Sequence, residues 1–238
     1  MKLTHALVIL LCFYVGCEPT NRQADSPPIT DQPATTDQPT EQAEPTQSDE
    51  RQSPVQEATP PSPPIVAAAR DQIGKTTIYD AAYVGLEYPN GDVPIERGVC
   101  TDVVIRAFRD AQGVDLQKLV HEDMKANFAK YPTIWGLTRP DKNIDHRRVP
   151  NLQTYFARRG YELTTSREAS NFQPGDLVTC TVGGNRPHIM VVSDKTTVSG
   201  VPLIIHNIGR GTVEEDRLFA FPITGHYRVR VANDNPSD

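Results

Sequence analysis

The chain has 238 residues, a formal net charge of −6 and four cysteines, a size that suggests one folded domain with or without an appendage. The charge is unevenly distributed, because residues 65–238 carry 21 acidic and 21 basic side chains and are formally neutral. A neutral domain lacks the basic patch that nucleic acid requires, so nucleic acid is not expected as a partner.

The first 17 residues, MKLTHALVILLCFYVGC, have the pattern of an export signal. Lys2 precedes a short apolar run from Ala6 to Val15, which is too short to span a bilayer comfortably. A small residue directly before Cys17 resembles the bacterial lipoprotein signal, in which that cysteine carries the lipid. We therefore expect an exported protein of the cell envelope or periplasm, lipid-anchored to a membrane at Cys17. The alternative is an ordinary secretory signal in which Cys17 is incidental.

Residues 18–64 form a low-complexity segment rich in proline, threonine, glutamine and glutamate, with nine acidic and two basic side chains. Such a composition cannot bury enough apolar surface to offset chain entropy, so a disordered tether is predicted. The folded domain is then expected to occupy residues 65–238.

Four segments of this domain show helical patterns. The stretch PPIVAAARDQIG predicts a short helix that ends near Gly74. Apolar residues on one face predict a helix from Cys100 to about Ala111. Asp115 is expected to cap a third helix, and VPNLQTYFARRG predicts a fourth, with Pro150 in its first turn.

The pattern then changes to short segments rich in β-branched residues, separated by turns. These predicted strands are GDLVTCTV, HIMVVSD, VPLIIHNIG and GHYRVRVA. Helices followed by antiparallel strands indicate an α+β fold in which N-terminal helices pack on a small antiparallel sheet.

Three residues in chain order suggest nucleophilic catalysis. Cys100 begins a helix, His188 begins a strand and His206 ends the next strand, so a hairpin would bring the two histidines together. A helix N-terminus and a nearby imidazolium would lower the thiol pKa of Cys100. His188 would then act as base and acid, and His206 would orient it.

The segments YPNGDVP, GVCTDVVIRAFR, YPTIWGL, PDKNIDHRRVPNL, HIMVVSD and IIHNIG resemble a bacterial family known as domain of unknown function 1287. That family is similar to the NlpC-like cell-wall cysteine peptidases and amidases. The resemblance implies a papain-like fold, a Cys-His-His triad at Cys100, His188 and His206, and cleavage of an amide bond in peptidoglycan. It also implies an upstream tyrosine at the oxyanion site, either Tyr79 or Tyr88.

Other polar residues are candidates for binding substrate. Asp102 lies in the first turn of the Cys100 helix, where it would either favour the helix dipole or oppose thiolate formation. Asp145, His146 and Arg147 would line a substrate groove, or else Asp145 would cap a helix with the arginines in solvent. No tight ligand spacing such as HExxH or CxxC appears, so no metal or other cofactor is expected, and the chain is expected to be a monomer.

Three alternatives remain open at this point. A disulfide between Cys100 and Cys180 would abolish the nucleophile. The same fold would serve equally as a module that binds peptidoglycan without cutting it. A zinc-dependent amidase is the third alternative.

Overall fold

The computed structural model describes residues 61–230. The predicted signal, Cys17 and nearly all of the predicted tether lie outside these described residues. Within residues 61–230, no helix combines the length and the apolar character needed to cross a bilayer.

Four α-helices precede most of the sheet: α1 (Pro64–Arg70), α2 (Cys100–Gln112), α3 (Leu116–Asn127) and α4 (Val149–Arg158). Gly113 ends α2 in the left-handed conformation, with a φ of 68° that glycine adopts without a Cβ clash. The Asp115 side chain accepts a hydrogen bond from Gln117 N and caps α3 as predicted. Helix α1 ends at Arg70, earlier than the sequence pattern suggests.

Six strands form the main sheet in the order β3–β8–β4–β5–β6–β7, and every neighbouring pair is antiparallel. Their bounds are β3 (Glu162–Leu163), β4 (Leu177–Val182), β5 (Arg186–Thr196), β6 (Pro202–Asn207), β7 (Thr212–Glu215) and β8 (Ile223–Tyr227). The strands β1 (Ile78–Tyr79) and β2 (Arg97–Gly98) form a separate parallel pair. The predicted mixture of helices with an antiparallel sheet is therefore confirmed.

Side chains alternate across the sheet, so its two faces belong to different apolar clusters. One face packs against α1, α2 and α4 through Leu177, Ile189, Val191 and Ile205, and α3 packs in turn against α2 and α4. The other face carries Val178, Cys180, Met190, Val192 and Ile204, packed against Phe172 and Leu218. Helix α2 contacts β5 and β6, and this contact sets the position of its first residue, Cys100.

The short strands β3 and β7 are absent from the sequence-based prediction. Each has few residues, and neither has the apolar run that marks β4, β5 and β6. The last strand begins at Ile223 and ends at Tyr227, whereas the sequence pattern suggests residues 225–232. Only pairing with β4 shows where this strand starts.

Candidate active site

Cys100 is the first residue of α2, as its place before an amphipathic run predicts. The preceding residue, Val99, is extended, and its N–H donates to the Asp102 carboxylate at 2.7 Å. Asp102 thereby satisfies a donor at the helix N-terminus that the helix itself cannot pair. The arrangement fixes the direction in which the chain enters the helix at Cys100.

The Cys100 thiol is enclosed, with 4% of the residue exposed. Burial, together with a smaller contribution from the nearby Asp102 charge, raises its pKa to about 11. The backbone amides of Ile189, Thr101 and Cys100 itself act in the opposite direction but do not compensate. The expected low thiol pKa is therefore wrong for this state, because loss of solvent outweighs the helix N-terminus.

His188 and His206 are joined directly, as the predicted hairpin suggests. His188 Nε2 lies 2.7 Å from His206 Nδ1, and the two rings are edge to face. On the far side, His206 Nε2 lies 2.9 Å from Glu215 Oε1. The three side chains form a hydrogen-bonded row that crosses β5, β6 and β7.

The row has only one arrangement of protons when both imidazoles are neutral. The Glu215 carboxylate can only accept, so His206 carries its proton on Nε2 and offers the Nδ1 lone pair. His188 Nε2–H then donates to that lone pair. The remaining nitrogen of His188, Nδ1, is left unprotonated, which is the form that a general base requires.

Burial controls the charge of both histidines. Burial, together with the neighbouring His206, lowers the pKa of His188 to about 3. Burial also lowers the pKa of His206, although its hydrogen bond with Glu215 partly offsets this effect. At neutral pH the site therefore holds a neutral imidazole pair beside a neutral thiol.

The structure brings Cys100 to the start of β5 without joining it to His188. The Ile189 amide, one residue after His188, lies close enough to favour a negative charge on the Cys100 sulfur. Among the hydrogen bonds of residues 61–230, none links Cys100 with His188. Transfer of the thiol proton to His188 therefore requires the two groups to come within hydrogen-bond distance.

Asp102 and Arg147 form a buried ion pair beside the nucleophile. Arg147 Nε and Nη2 each donate to a different Asp102 oxygen at 2.9 Å, and both side chains are less than 5% exposed. Arg147 also donates to the carbonyls of Asp80 and Ala82. Asp102 thus faces inward, and Arg147 links the α2 N-terminus to the segment that follows β1.

The role of residues 145–147 in lining a substrate groove stays a prediction, although all three residues are buried in this structure. Asp145 and His146 are 1% and 2% exposed, and Arg147 is 7% exposed. Asp145 accepts from Asp141 N and Arg148, so it ties together the loop before α4. Burial lowers the pKa of His146 to about 4. The alternative with the arginines in solvent is wrong for Arg147.

The two candidate tyrosines occupy different places. Tyr79 is 42% exposed, and burial of part of its ring together with the nearby Cys100 raises its pKa. Its partner in β2 is Gly98, two residues before Cys100. Tyr88 instead packs edge to face against His121 on α3. Of the two, Tyr79 is the phenol next to the thiol.

Cys180 and Cys100 are both free thiols. Cys180 is fully buried in the apolar cluster on the opposite face of the sheet from α2, and no disulfide joins it to Cys100. Among residues 61–230, no three histidine, cysteine or carboxylate side chains are grouped as they would be to hold a metal ion.

Two residues of the site were not predicted from the sequence. Glu215 lies in the unpredicted strand β7, where its register opposite Ile204 brings it to His206. Asn207 is fully buried and donates from Nδ2 to the Gly98 carbonyl at 3.0 Å, so it ties the end of β6 to the chain before Cys100. Asn207 directly follows His206 in LIIHN, but its role depends on the fold.

Comparison with known proteins places these features in a family. Residues 66–229 match the family model described as a domain of unknown function, DUF1287. The uncharacterized protein YijF of Escherichia coli (strain K12) is 59% identical over 167 residues, which cover 70% of this chain and 81% of that protein.

Proposed function

The chain belongs to the DUF1287 family, and we propose that it is a cysteine hydrolase that cleaves an amide bond through Cys100, His188 and His206. The observation that carries this proposal is the row from Glu215 through His206 to His188. It leaves an unprotonated Nδ1 on His188 at the strand start that lies against the N-terminus of α2. A papain-like fold of the NlpC type is part of the proposal.

The chemistry begins with a neutral thiol. As the sulfur of Cys100 attacks the amide carbonyl carbon, its proton passes to His188 Nδ1, and a tetrahedral oxyanion forms. His206 and Glu215 hold the resulting imidazolium in place. His188 then returns the proton to the leaving amine, the C–N bond breaks and a thioester remains on Cys100.

Hydrolysis of the thioester repeats these steps with water as the nucleophile. His188 Nδ1 takes a proton from water, the oxygen attacks the thioester carbonyl, and the Cys100 sulfur leaves and is reprotonated. The amide of Cys100 at the helix start and the hydroxyl of Tyr79 are the proposed donors to the oxyanion. The Tyr79 phenol is suited to this role because it is protonated at neutral pH and close enough to Cys100 for the two groups to interact electrostatically.

The proposed substrate is peptidoglycan, in its stem peptides or cross-links. This part rests on the resemblance to NlpC-like enzymes and on the predicted export signal with predicted lipidation at Cys17, which would hold a monomer in the cell envelope. The hydrolase domain spans residues 65–238 in this proposal, and residues 18–64 serve as its tether. No metal or cofactor takes part in the proposed steps.

The test uses the full chain and purified peptidoglycan. The natural chain should release soluble fragments with new amino and carboxyl ends, and Cys100→Ala should lower the rate by about a thousandfold or more. Cys180→Ala removes the other buried thiol and should keep activity within a few-fold. Equal release by Cys100→Ala and the natural chain would rule out the proposed nucleophile.

A second candidate is a module that binds peptidoglycan without cutting it. The enclosed, protonated Cys100 favours this alternative, since a resting thiol with a pKa of about 11 carries almost no thiolate at neutral pH. The same assay distinguishes the two functions. Binding to the sedimented wall with no release of new chain ends would support the binding module over the hydrolase.

A further inference from the structure

We propose that a groove at the β3 edge of the sheet binds an acidic sugar, that is, a hydroxylated ring with a carboxylate. The β3 groove consists of two adjoining cavities of about 340 and 380 Å³ that share Leu163 and Arg228 as lining residues. Both volumes fall in the usual range for small-molecule sites. The groove is at the opposite edge of the sheet from β7, which carries Glu215.

The first cavity is basic. Arg159, Arg228 and Arg230 line it together with Tyr161 and Leu163. Within residues 61–230, Arg230 has no hydrogen bond or ion pair, and the Nη1 of Arg228 makes none. Asp176 neutralises one charge by holding Arg228 through Nε and Nη2. A positive excess therefore remains, and it suits an incoming carboxylate.

The second cavity is lined mainly by uncharged polar groups. Its walls include Thr164, Thr165, Ser166 and Asn171, with His226 and Arg228. The hydroxyls of Thr164 and Thr165 have no hydrogen bond within the described chain and are exposed. A ring with several hydroxyls matches this wall better than an apolar ligand does.

His226 adds an unsatisfied acceptor to that wall. Its Nε2 lies 2.8 Å from the Asp176 carboxylate and donates to it, so in the neutral ring Nδ1 offers a lone pair. His226 is 1% exposed, and its Nδ1 is buried without a partner. Phe172 stacks on the ring with centroids 4.5 Å apart and holds its orientation. A ligand hydroxyl that donates to Nδ1 would remove the cost of this unpaired acceptor.

The linings of the two cavities together indicate the chemical groups that the ligand carries. Its carboxylate would meet Arg230 and the free side of Arg228, and its hydroxyls would meet the threonines and His226. A simple anion lacks the hydroxyls, and a neutral sugar lacks the charge. The proposal uses no residue of the Cys100 site, so it is independent of the proposed hydrolase activity.

The test is a titration of the ¹⁵N-labelled full chain with D-glucuronate, D-glucose and inorganic phosphate, followed by NMR. D-Glucuronate should bind the β3 groove with saturation, more tightly than either of the other two, and should shift the His226 Nδ1 resonance. Binding of glucose or phosphate as tight as that of glucuronate would overturn the acidic-sugar assignment, as would no binding of glucuronate.

Two matched variants distinguish the effect of a charge in the β3 groove on glucuronate binding from the effect of a charge elsewhere on the surface. Arg230→Gln should weaken glucuronate binding by about threefold or more, because an exposed charged contact is lost. Arg139→Gln removes an exposed arginine from the loop before α4 and should leave affinity unchanged. Equal weakening by both variants would overturn the site. Cys100→Ala should bind glucuronate normally, and this holds whether or not the chain is a hydrolase.

Discussion

His188 Nε2 and His206 Nδ1 lie 2.7 Å apart across the neighbouring strands β5 and β6. This contact fixes the tautomer of His188. His206 donates its Nε2–H to Glu215, so its Nδ1 can only accept a hydrogen bond from His188. The orientation of the proposed base is thus determined by a carboxylate two hydrogen bonds away.

Glu215→Gln should lower turnover of the proposed hydrolase by about 10- to 100-fold with little change in KM, since an amide no longer fixes the tautomer of His206. The ¹⁵N spectrum of His206 should show a mixture of tautomers. Arg217→Gln is the control: it removes a half-exposed cation 3.8 Å from Glu215 and leaves the His206 contact intact. Equal turnover by Glu215→Gln and the natural chain would show that Glu215 has no positioning role.

Alkylation of Cys100 should be slow at pH 7 and should accelerate toward pH 11. A thiol with a pKa of about 11 gains tenfold in thiolate for each pH unit below that value. Iodoacetamide labelling of the full chain, read by peptide mass after digestion, measures the profile. Cys180 is the internal control and should react still more slowly, because burial raises its pKa to about 12.

His188→Ala should leave this labelling profile nearly unchanged. The imidazole is neutral throughout the range because its pKa is about 3, so it supplies no positive charge to the resting thiol. A half-maximal labelling rate below pH 8 that disappears in His188→Ala would instead reveal a thiolate–imidazolium pair.

Arg147→Met should lower the free energy of unfolding by about 3–5 kcal/mol, because it leaves the buried Asp102 without its partner. The double variant Asp102→Leu with Arg147→Met should recover much of this loss, since neither charge is then left unpaired. Urea unfolding of the natural chain, Asp102→Leu, Arg147→Met and the double variant measures the coupling. A raised KM with unchanged stability in Arg147→Met would instead assign Arg147 to the substrate.

The domain should lose stability as the pH falls below 6.5. The pKa values of His146 and His188 are lowered on folding, to about 4 and about 3, so the unfolded chain binds protons that the folded chain does not. At pH 5 each histidine accounts for about 2 kcal/mol of the decrease relative to neutral pH.

Urea unfolding of the full chain at pH 7 and pH 5 tests this dependence. His146→Gln removes one titrating group, so its decrease between the two pH values should be smaller by about 2 kcal/mol. The quantity compared is the change in the free energy of unfolding between pH 7 and pH 5. Any loss of stability that is the same at both pH values therefore cancels. An unchanged slope would show that His146 is not held neutral by the fold.

Much of the architecture follows from local pattern. The apolar spacing after Cys100, the Asp115 cap and the β-branched runs around Ile189 and Ile205 predict helices and strands that the structure contains. These features depend on residues within one or two turns, so the sequence alone carries them. The order Cys100, His188, His206 also follows from chain position and hairpin pairing.

Contacts between distant segments determine the remaining features of the site, namely its supporting contacts and the pKa of its thiol. Glu215 reaches His206 only through the register of a strand with no apolar signature, and Arg147 reaches Asp102 across 45 positions of the chain. The Cys100 thiol is a further example. The sequence predicts its position at a helix N-terminus, but it does not predict the direction of its pKa shift. Burial by packing determines that direction, and burial is a property of the assembled fold.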